Sequence, residues 1–226
     1  MEGRVAALWR YPVKSLAGER LDELDLDARG VVADRLWGLV RADGKIASGK
    51  HTRRFRRVDG LLRHAARLGP DGEPVLELAD GRVLAPNDAL AEELAGPGWR
   101  FAREAAISHF DIGAVHLVTT GSLASLEAFA GEPVEQERLR PNLVLDAGDV
   151  REEAWAGRRL VVGGVELEVT VPAQRCVMVG HAQRDLPKRR LLLKRIAEWN
   201  GVCAGMYASV VRSGRVRVGD AVELAR

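Results

Sequence analysis

Cysteine is nearly missing from this chain of 226 residues: Cys176 and Cys203 are the only two. Two thiols cannot build a disulfide framework or hold a zinc or iron–sulfur cluster. The expectation is therefore a reducing, cytoplasmic setting. Lysine is also scarce, confined to Lys14, Lys45, Lys50, Lys188 and Lys194, so arginine carries most positive charge. The charges nearly cancel, 34 cations against 32 anions, which leaves little field to steer nucleic acid or a membrane surface. Aromatic residues make up only 5%, and the densest basic run (Lys50, Arg53, Arg54, Arg56, Arg57) is interleaved only with Phe55, where a single-strand reader would stack bases. No apolar run reaches the roughly 20 residues of a membrane span, and the N-terminal stretch has no signal-peptide pattern. Neither nucleic acid nor a membrane is expected as a partner.

What is present is a succession of short apolar runs separated by turn residues. Arg4 to Trp9, Leu36 to Arg41, Lys45 to Ser48, Leu61 to Leu68, Pro74 to Leu78 and Arg82 to Leu84 read as strands. Asp43-Gly44, Gly69-Pro70-Asp71-Gly72 and Asp80-Gly81 read as their turns. Further strands are expected at Val115 to Thr119, Leu143 to Leu145, Leu160 to Val162 and Val165 to Val171. Tyr207 to Arg212, Arg215 to Val218 and Ala221 to Leu224 close the chain. Helices are expected over Asn87 to Leu94, Ser122 to Ala130 (Leu123, Leu126 and Phe129 on one face) and Leu186 to Trp199. This is a mainly β, α+β pattern of barrel type with a few peripheral helices. Gly96-Pro97-Gly98 marks a boundary between regions 1–96 and 97–226.

Several clusters carry chemistry. Cys176 follows Arg175 at the end of a β-branched run, and a permanent cation beside a cysteine favours thiolate, which attacks electrophiles or binds soft metals. Lys14-Ser15, Asp34-Arg35 and Arg140-Pro141-Asn142 each stand at a strand end or turn, and basic groups so placed hold anions. Alone, the cysteine would more often be a semi-buried structural thiol; the basic company shifts the balance. The segment from Gly44 to His51 nearly spells a phosphate loop, but His51 replaces the required Ser or Thr and no helix follows. The basic run around Arg54 reads either as a solvated edge or as the wall of a phosphate pocket. The five histidines show no metal-ligand spacing.

Taken in order, the segments from Tyr11 to Ser15, Asp34 to Trp37, Arg140 to Val144, Trp155 to Gly163, Arg175-Cys176, Gly205 to Tyr207 and Val218 to Asp220 resemble the MOSC family. The name comes from the C-terminal domain of molybdenum cofactor sulfurases, and the likeness includes the family's N-terminal β-barrel region. Within it they look like the amidoxime-reducing subgroup. The resemblance implies a MOSC-like β-barrel and a pterin molybdenum cofactor, with a tungsten analogue not excluded. It makes Cys176 the metal ligand and, with Arg175, the catalytic pair. Lys14, Ser15, Arg35 and Arg54 would hold the phosphate end. Arg140 and Asn142, with Thr120 or Ser122, would line the pterin or the metal's oxo groups, and Tyr207 would add an aromatic wall. The activity implied is reduction of N-hydroxylated or N-oxygenated small compounds, with electrons from a separate ferredoxin- or cytochrome-type protein. The subgroup's Arg-Gln pair is replaced here by His51-Thr52-Arg53-Arg54, a departure that bears on the substrate rather than the cofactor. Two other readings remain open at this point: a sulfur carrier using a Cys176 persulfide, and a non-catalytic cofactor carrier.

Overall fold

The structure is a computed structural model that describes residues 2–106 and 108–225. In chain order the elements of the first half are β1 (Glu2–Arg10), β2 (Glu19–Leu21), β3 (Glu23–Asp27), β4 (Gly30–Val31), β5 (Trp37–Arg41), β6 (Ile46–Ser48), β7 (Phe55–Arg57), β8 (Ala65–Leu68), β9 (Pro74–Glu77), β10 (Val83–Leu84), α1 (Asp88–Ala95) and β11 (Trp99–Arg103). The second half adds β12 (Val115–Thr119), α2 (Thr120–Ala130), β13 (Leu143–Asp146), β14 (Arg159–Val162), β15 (Val165–Gln174), α3 (Leu192–Asn200), β16 (Cys203–Arg212), β17 (Gly214–Arg217) and β18 (Ala221–Leu224).

The expected β-barrel is present. Strands β13, β12, β16, β15, β14, β18 and β1 follow one another by hydrogen bonding, and β1 returns to β13 to close seven strands. Closure removes the free edges an open sheet would leave. All but one of the neighbouring pairs are antiparallel; β12 and β13 run parallel, with α2 as part of the connection. Alternation along the strands sends Leu160, Val162, Val165, Leu167 and Val169 into the barrel, where they pack with Leu117, Leu145 and Met206. A second core lies under β5, β6, β8, β9 and β11 and gathers Val13, Leu16, Trp37, Leu39 and Trp99. Helices α2 and α3 cover the outside of the barrel through Leu126, Leu192 and Ile196. Among the described residues no helix is long and apolar enough to cross a membrane.

Some local expectations needed correction. The run from Leu61 splits into a 3-10 turn over Leu61–Arg63 and the strand β8, because Gly60 enters it in a left-handed conformation. Helix α3 starts at Leu192 rather than Leu186: Arg189 and Leu186 spend their backbone N–H groups on Gly180 and Gln183, folding the preceding residues into turns. Helix α2 begins at Thr120, capped by the Thr119 side chain, and leaves Phe129 47% exposed rather than in the core. Strands β2, β3, β4 and β11 were not expected.

Strand β15 matters most for the site. Its register against β16 shifts between Val169 and Pro172 and again before Gln174. Proline lacks the N–H that a ladder needs, so such irregularities are where a strand bends. The chain is thereby led out of the barrel at Arg175-Cys176.

Candidate functional site

Two parts of the chain face each other across a cleft of about 260 Å³. One wall comes from the turn after β1, the turn before β5, and β6–β7. It supplies Lys14, Ser15, Arg35, Lys50 and Arg54. The other comes from the ends of the barrel strands and supplies Arg140, Asn142, Arg175, Cys176 and Tyr207. The sequence-derived site residues therefore converge in one cavity, with two exceptions. Thr120 donates its hydroxyl to Asp146, and Ser122 is buried within the first turn of α2; neither lines the cleft. Helix α2 starts at the opposite side of this site, where Glu152 accepts from the Thr119 N–H and hydroxyl.

Backbone conformation holds three of these residues in place. Ser15 (φ 66°), Arg35 (φ 50°) and Arg140 (φ 55°) are all left-handed although none is glycine. Each such residue costs about 1–3 kcal/mol and persists only where its surroundings over-determine it. The bonds that do so are visible. Ser15 Oγ donates to the Ala47 carbonyl at 3.2 Å, and the Arg35 N–H donates to the Tyr11 carbonyl at 2.7 Å. Arg140 Nη1 donates to the Leu16 carbonyl at 2.7 Å. Arg35 Nη2 reaches the Arg140 carbonyl at 3.3 Å, which ties the two walls together.

The cations are stacked on two buried rings. Arg35 and Arg140 lie over Tyr11 at 4.7 and 4.3 Å, and Lys14, Lys50 and Arg54 over Phe55 at 4.6, 4.9 and 5.2 Å. The ring faces offset part of the cost of packing like charges together. Two carboxylates offset more. Asp34, fully buried, pairs with Arg35 and accepts the Tyr11 N–H at 2.7 Å. Asp111 pairs with both Lys14 and Lys50.

Cations still outnumber carboxylates around the cleft, and burial is the main influence on their protonation. Burial pulls Lys14 down to about 8 despite its contact with Asp111. Burial, reinforced by Arg35, lowers Arg140 to about 10. Arg175 is lowered by burial as well; its Nη2 donates to the Leu139 carbonyl at 2.5 Å, while its buried Nε has no partner. Burial opposes ionisation of Asp111, yet Lys14 and Lys50 outweigh it and hold the carboxyl well below its ordinary range. His116 on the floor is pushed well down by burial and by Arg175, so it is neutral at pH 7.

Asn142 has little capacity left for a ligand. Its Oδ1 accepts from the His116 N–H at 3.0 Å and its Nδ2 donates to the Trp9 carbonyl at 3.3 Å, so it clasps β1 and β12 beneath the cleft. Cys176 is half-buried and lines the cavity, whereas Cys203 does not. Asp111 and His116 were not singled out for the site from sequence. Lys50 belonged both to the rejected phosphate loop and to the basic run read as a possible pocket wall; it lines the cleft, as does Ser48. Asp111 and His116 carry no local pattern that would reveal them.

A family model of the MOSC domain matches residues 106–223, and one of the MOSC N-terminal beta barrel domain matches residues 2–72. The chain is 24% identical to Mitochondrial amidoxime reducing component 2 of Rattus norvegicus, over 97% of this chain and 82% of that protein. It is also 24% identical to Mitochondrial amidoxime-reducing component 1 of Homo sapiens, over 98% of this chain and 83% of the relative. The solved structure of the YUAD protein from Bacillus subtilis has a TM-score of 0.56 at 15% identity, covering 99% of this chain and 96% of that one, a likeness of fold. With the MOSC-domain match extending over half its length and the N-terminal match beside it, the chain belongs to the MOSC domain family.

Proposed function

We propose that the cleft holds a pterin molybdenum cofactor, or its tungsten analogue, with Cys176 as the protein's metal ligand. We further propose that the protein is an oxidoreductase reducing N-hydroxylated or related N-oxygenated small compounds. One observation carries the reading: the only thiol lining the cleft, among the described residues, sits with Lys14, Arg35, Arg140 and Arg175, four cations that are buried or half-buried. A soft metal bound by dithiolene sulfurs accepts a further thiolate, and a phosphorylated pterin is an anion. The residues present fit such a group. Cations in the cleft outnumber Asp34 and Asp111, and the buried Nε of Arg175 lacks an acceptor. The names of the amidoxime-reducing relatives support the choice of substrate.

When bound, the cofactor would supply the two-electron redox chemistry. The chain's own residues bind and orient. Lys14 and Arg35, with the Ser15 hydroxyl, would grip the phosphate through charge-assisted hydrogen bonds. Arg175 would lie beside the metal end and favour the thiolate of Cys176. Tyr207 and His116, whose rings are 5.6 Å apart, form an aromatic side to the cavity. The overall reaction takes two electrons and two protons, breaks the N–O bond and releases the oxygen as water. The electrons come from a separate protein, in a compartment reducing enough to keep Cys176 free; the cytoplasm meets that condition.

The test is turnover of a hydroxylated benzamidine by protein purified from a cofactor-making host, with a chemical reductant as electron source. Formation of the amidine, lost in Cys176→Ala, supports the reading. Cofactor-loaded protein that leaves the substrate intact contradicts the assigned reaction.

A further inference from the structure

The turn that follows Cys176 lines the cleft on one side and a basic outer depression on the other. In the short turn Val177–Gly180, Met178 faces the cleft while Val177 and Gly180 line a depression outside it. That depression adjoins a second, and the two share Arg57, His181 and Lys188; Arg63 lines one and Arg190 the other. His181 fastens the region to the opposite wall, its Nε2 lying 3.0 Å from the carbonyl of Gly49, next to Lys50. Arg57 pairs only with exposed Asp59, and among the described residues Arg63, Lys188 and Arg190 make no ion pair. Val177 is 49% exposed among these cations, and Leu191, directly after Arg190, is 58% exposed. Unpaired cations around exposed apolar side chains repel one another and give the fold nothing.

We propose that this face docks the protein that delivers electrons to the cleft, and that the donor presents an acidic surface to it. The proposal rests on the reductase reading above. Among the described residues there is no cluster of His, Cys, Asp or Glu to hold a second metal centre, so electrons enter from outside. Transfer falls steeply with distance, and the Val177 side is a single residue from Cys176. Electron-transfer encounters are small and brief, so complementary charge does most of the work of bringing the partners together. Arg57, Lys188 and Arg190 provide that attraction, and exposed Val177, lining the same depression, provides an apolar contact. Nucleic acid is a poorer fit, because the patch has no aromatic side chain for stacking.

The experiment measures binding of two acidic probes, a [2Fe–2S] ferredoxin and a haem-b cytochrome, by calorimetry over a range of salt. It compares the intact protein with the triple variant Arg57→Glu, Lys188→Glu, Arg190→Glu. All three positions are exposed, and circular dichroism checks that the fold is kept. The expected result is salt-sensitive binding of at least one probe, weakened about tenfold or more by the reversal, with a matching fall in turnover driven by that probe. Turnover driven by reduced methyl viologen, itself a cation, should not fall. Equal affinity in the variant, or no binding of either probe to the intact protein, overturns the proposal. So does loss in the variant of binding to vesicles with about 20% phosphatidylserine when neither probe binds, which makes the face a lipid-binding one. Absence of viologen-driven turnover in the intact protein removes the reductase reading, while the binding data still judge the docking face.

Discussion

The wall built from residues 11–58 has four cationic side chains and no thiol; the wall built from residues 139–207 has the thiol, two arginines and Tyr207, whose ring packs near that of His116 on the floor. The first is made of turns, held by left-handed Ser15 and Arg35 and braced on the ring of Phe55. The second is made of strand ends of a closed barrel, where the irregular end of β15 re-aims Arg175-Cys176. Charge without a nucleophile suits gripping an anion; a thiol on a rigid rim suits fixing the reactive end of the same ligand. The two walls thus divide one task between a clamp and a chemical end.

Four changes break or sharpen that division. The largest effect belongs to Cys176→Ala: amidine formation should vanish while the thermal stability of the cofactor-free variant stays near that of the cofactor-free parent, because the thiol is only half-buried. Preserved turnover would show that the rim is not the chemical end. Next is Asp34→Ala in the clamp. It strips Arg35 of its buried partner and the Tyr11 N–H of its acceptor, a loss of about 3–5 kcal/mol for a broken buried pair, read by denaturant unfolding. A cost below 1 kcal/mol, an amount typical of exposed pairs, would remove Arg35 from the braced clamp.

A smaller and opposite effect is expected for Asp111→Asn. The substitution frees Lys14 and Lys50, so the cofactor-free protein should bind sulfate several times more tightly in calorimetry. Weaker binding would mean that Asp111 orders the lysines rather than competing with the ligand. The smallest is the pH response of Lys14. Its pKa of about 8 lies below its ordinary 10.5, so the folded protein sheds this proton first. Stability from this group accordingly rises with pH between about 8 and 10.5. Anion affinity runs the other way and should decline as pH passes about 8. Sulfate titration of a Cys176→Ser background, with and without Lys14→Met, isolates the effect; an unchanged profile in Lys14→Met would refute the assignment to that lysine.

Much of this was readable before any coordinates. Asp43-Gly44 forms the β5–β6 turn, and the alternation in Val165, Leu167 and Val169 points into the barrel. The basic dipeptides next to Tyr11-Pro12, Asp34 and Pro141 meet Cys176 because turns at strand ends gather on one side of a barrel. What escaped notice was tertiary or short. Strand β3 does alternate, with Leu24 and Leu26 buried between acids, but five residues crowded with carboxylates look like a loop. The strand-like basic segment at β7 is held by its parallel pairing with β6, which no local pattern reveals. Asp111 sits in a segment without period, and only the approach of Lys14 and Lys50 gives it meaning. Thr120 and Ser122 were placed by the family resemblance alone, and the structure turns this helix start away from the cleft, where Glu152 and Asp146 meet it.

The most direct measurement is the metal and pterin content of the protein, and of Cys176→Ala, purified from a host that makes the cofactor. Close to one molybdenum and one pterin per chain, with the metal largely lost in the variant and the fold intact by circular dichroism, is the predicted result. A folded parent protein free of both metal and pterin would contradict the account.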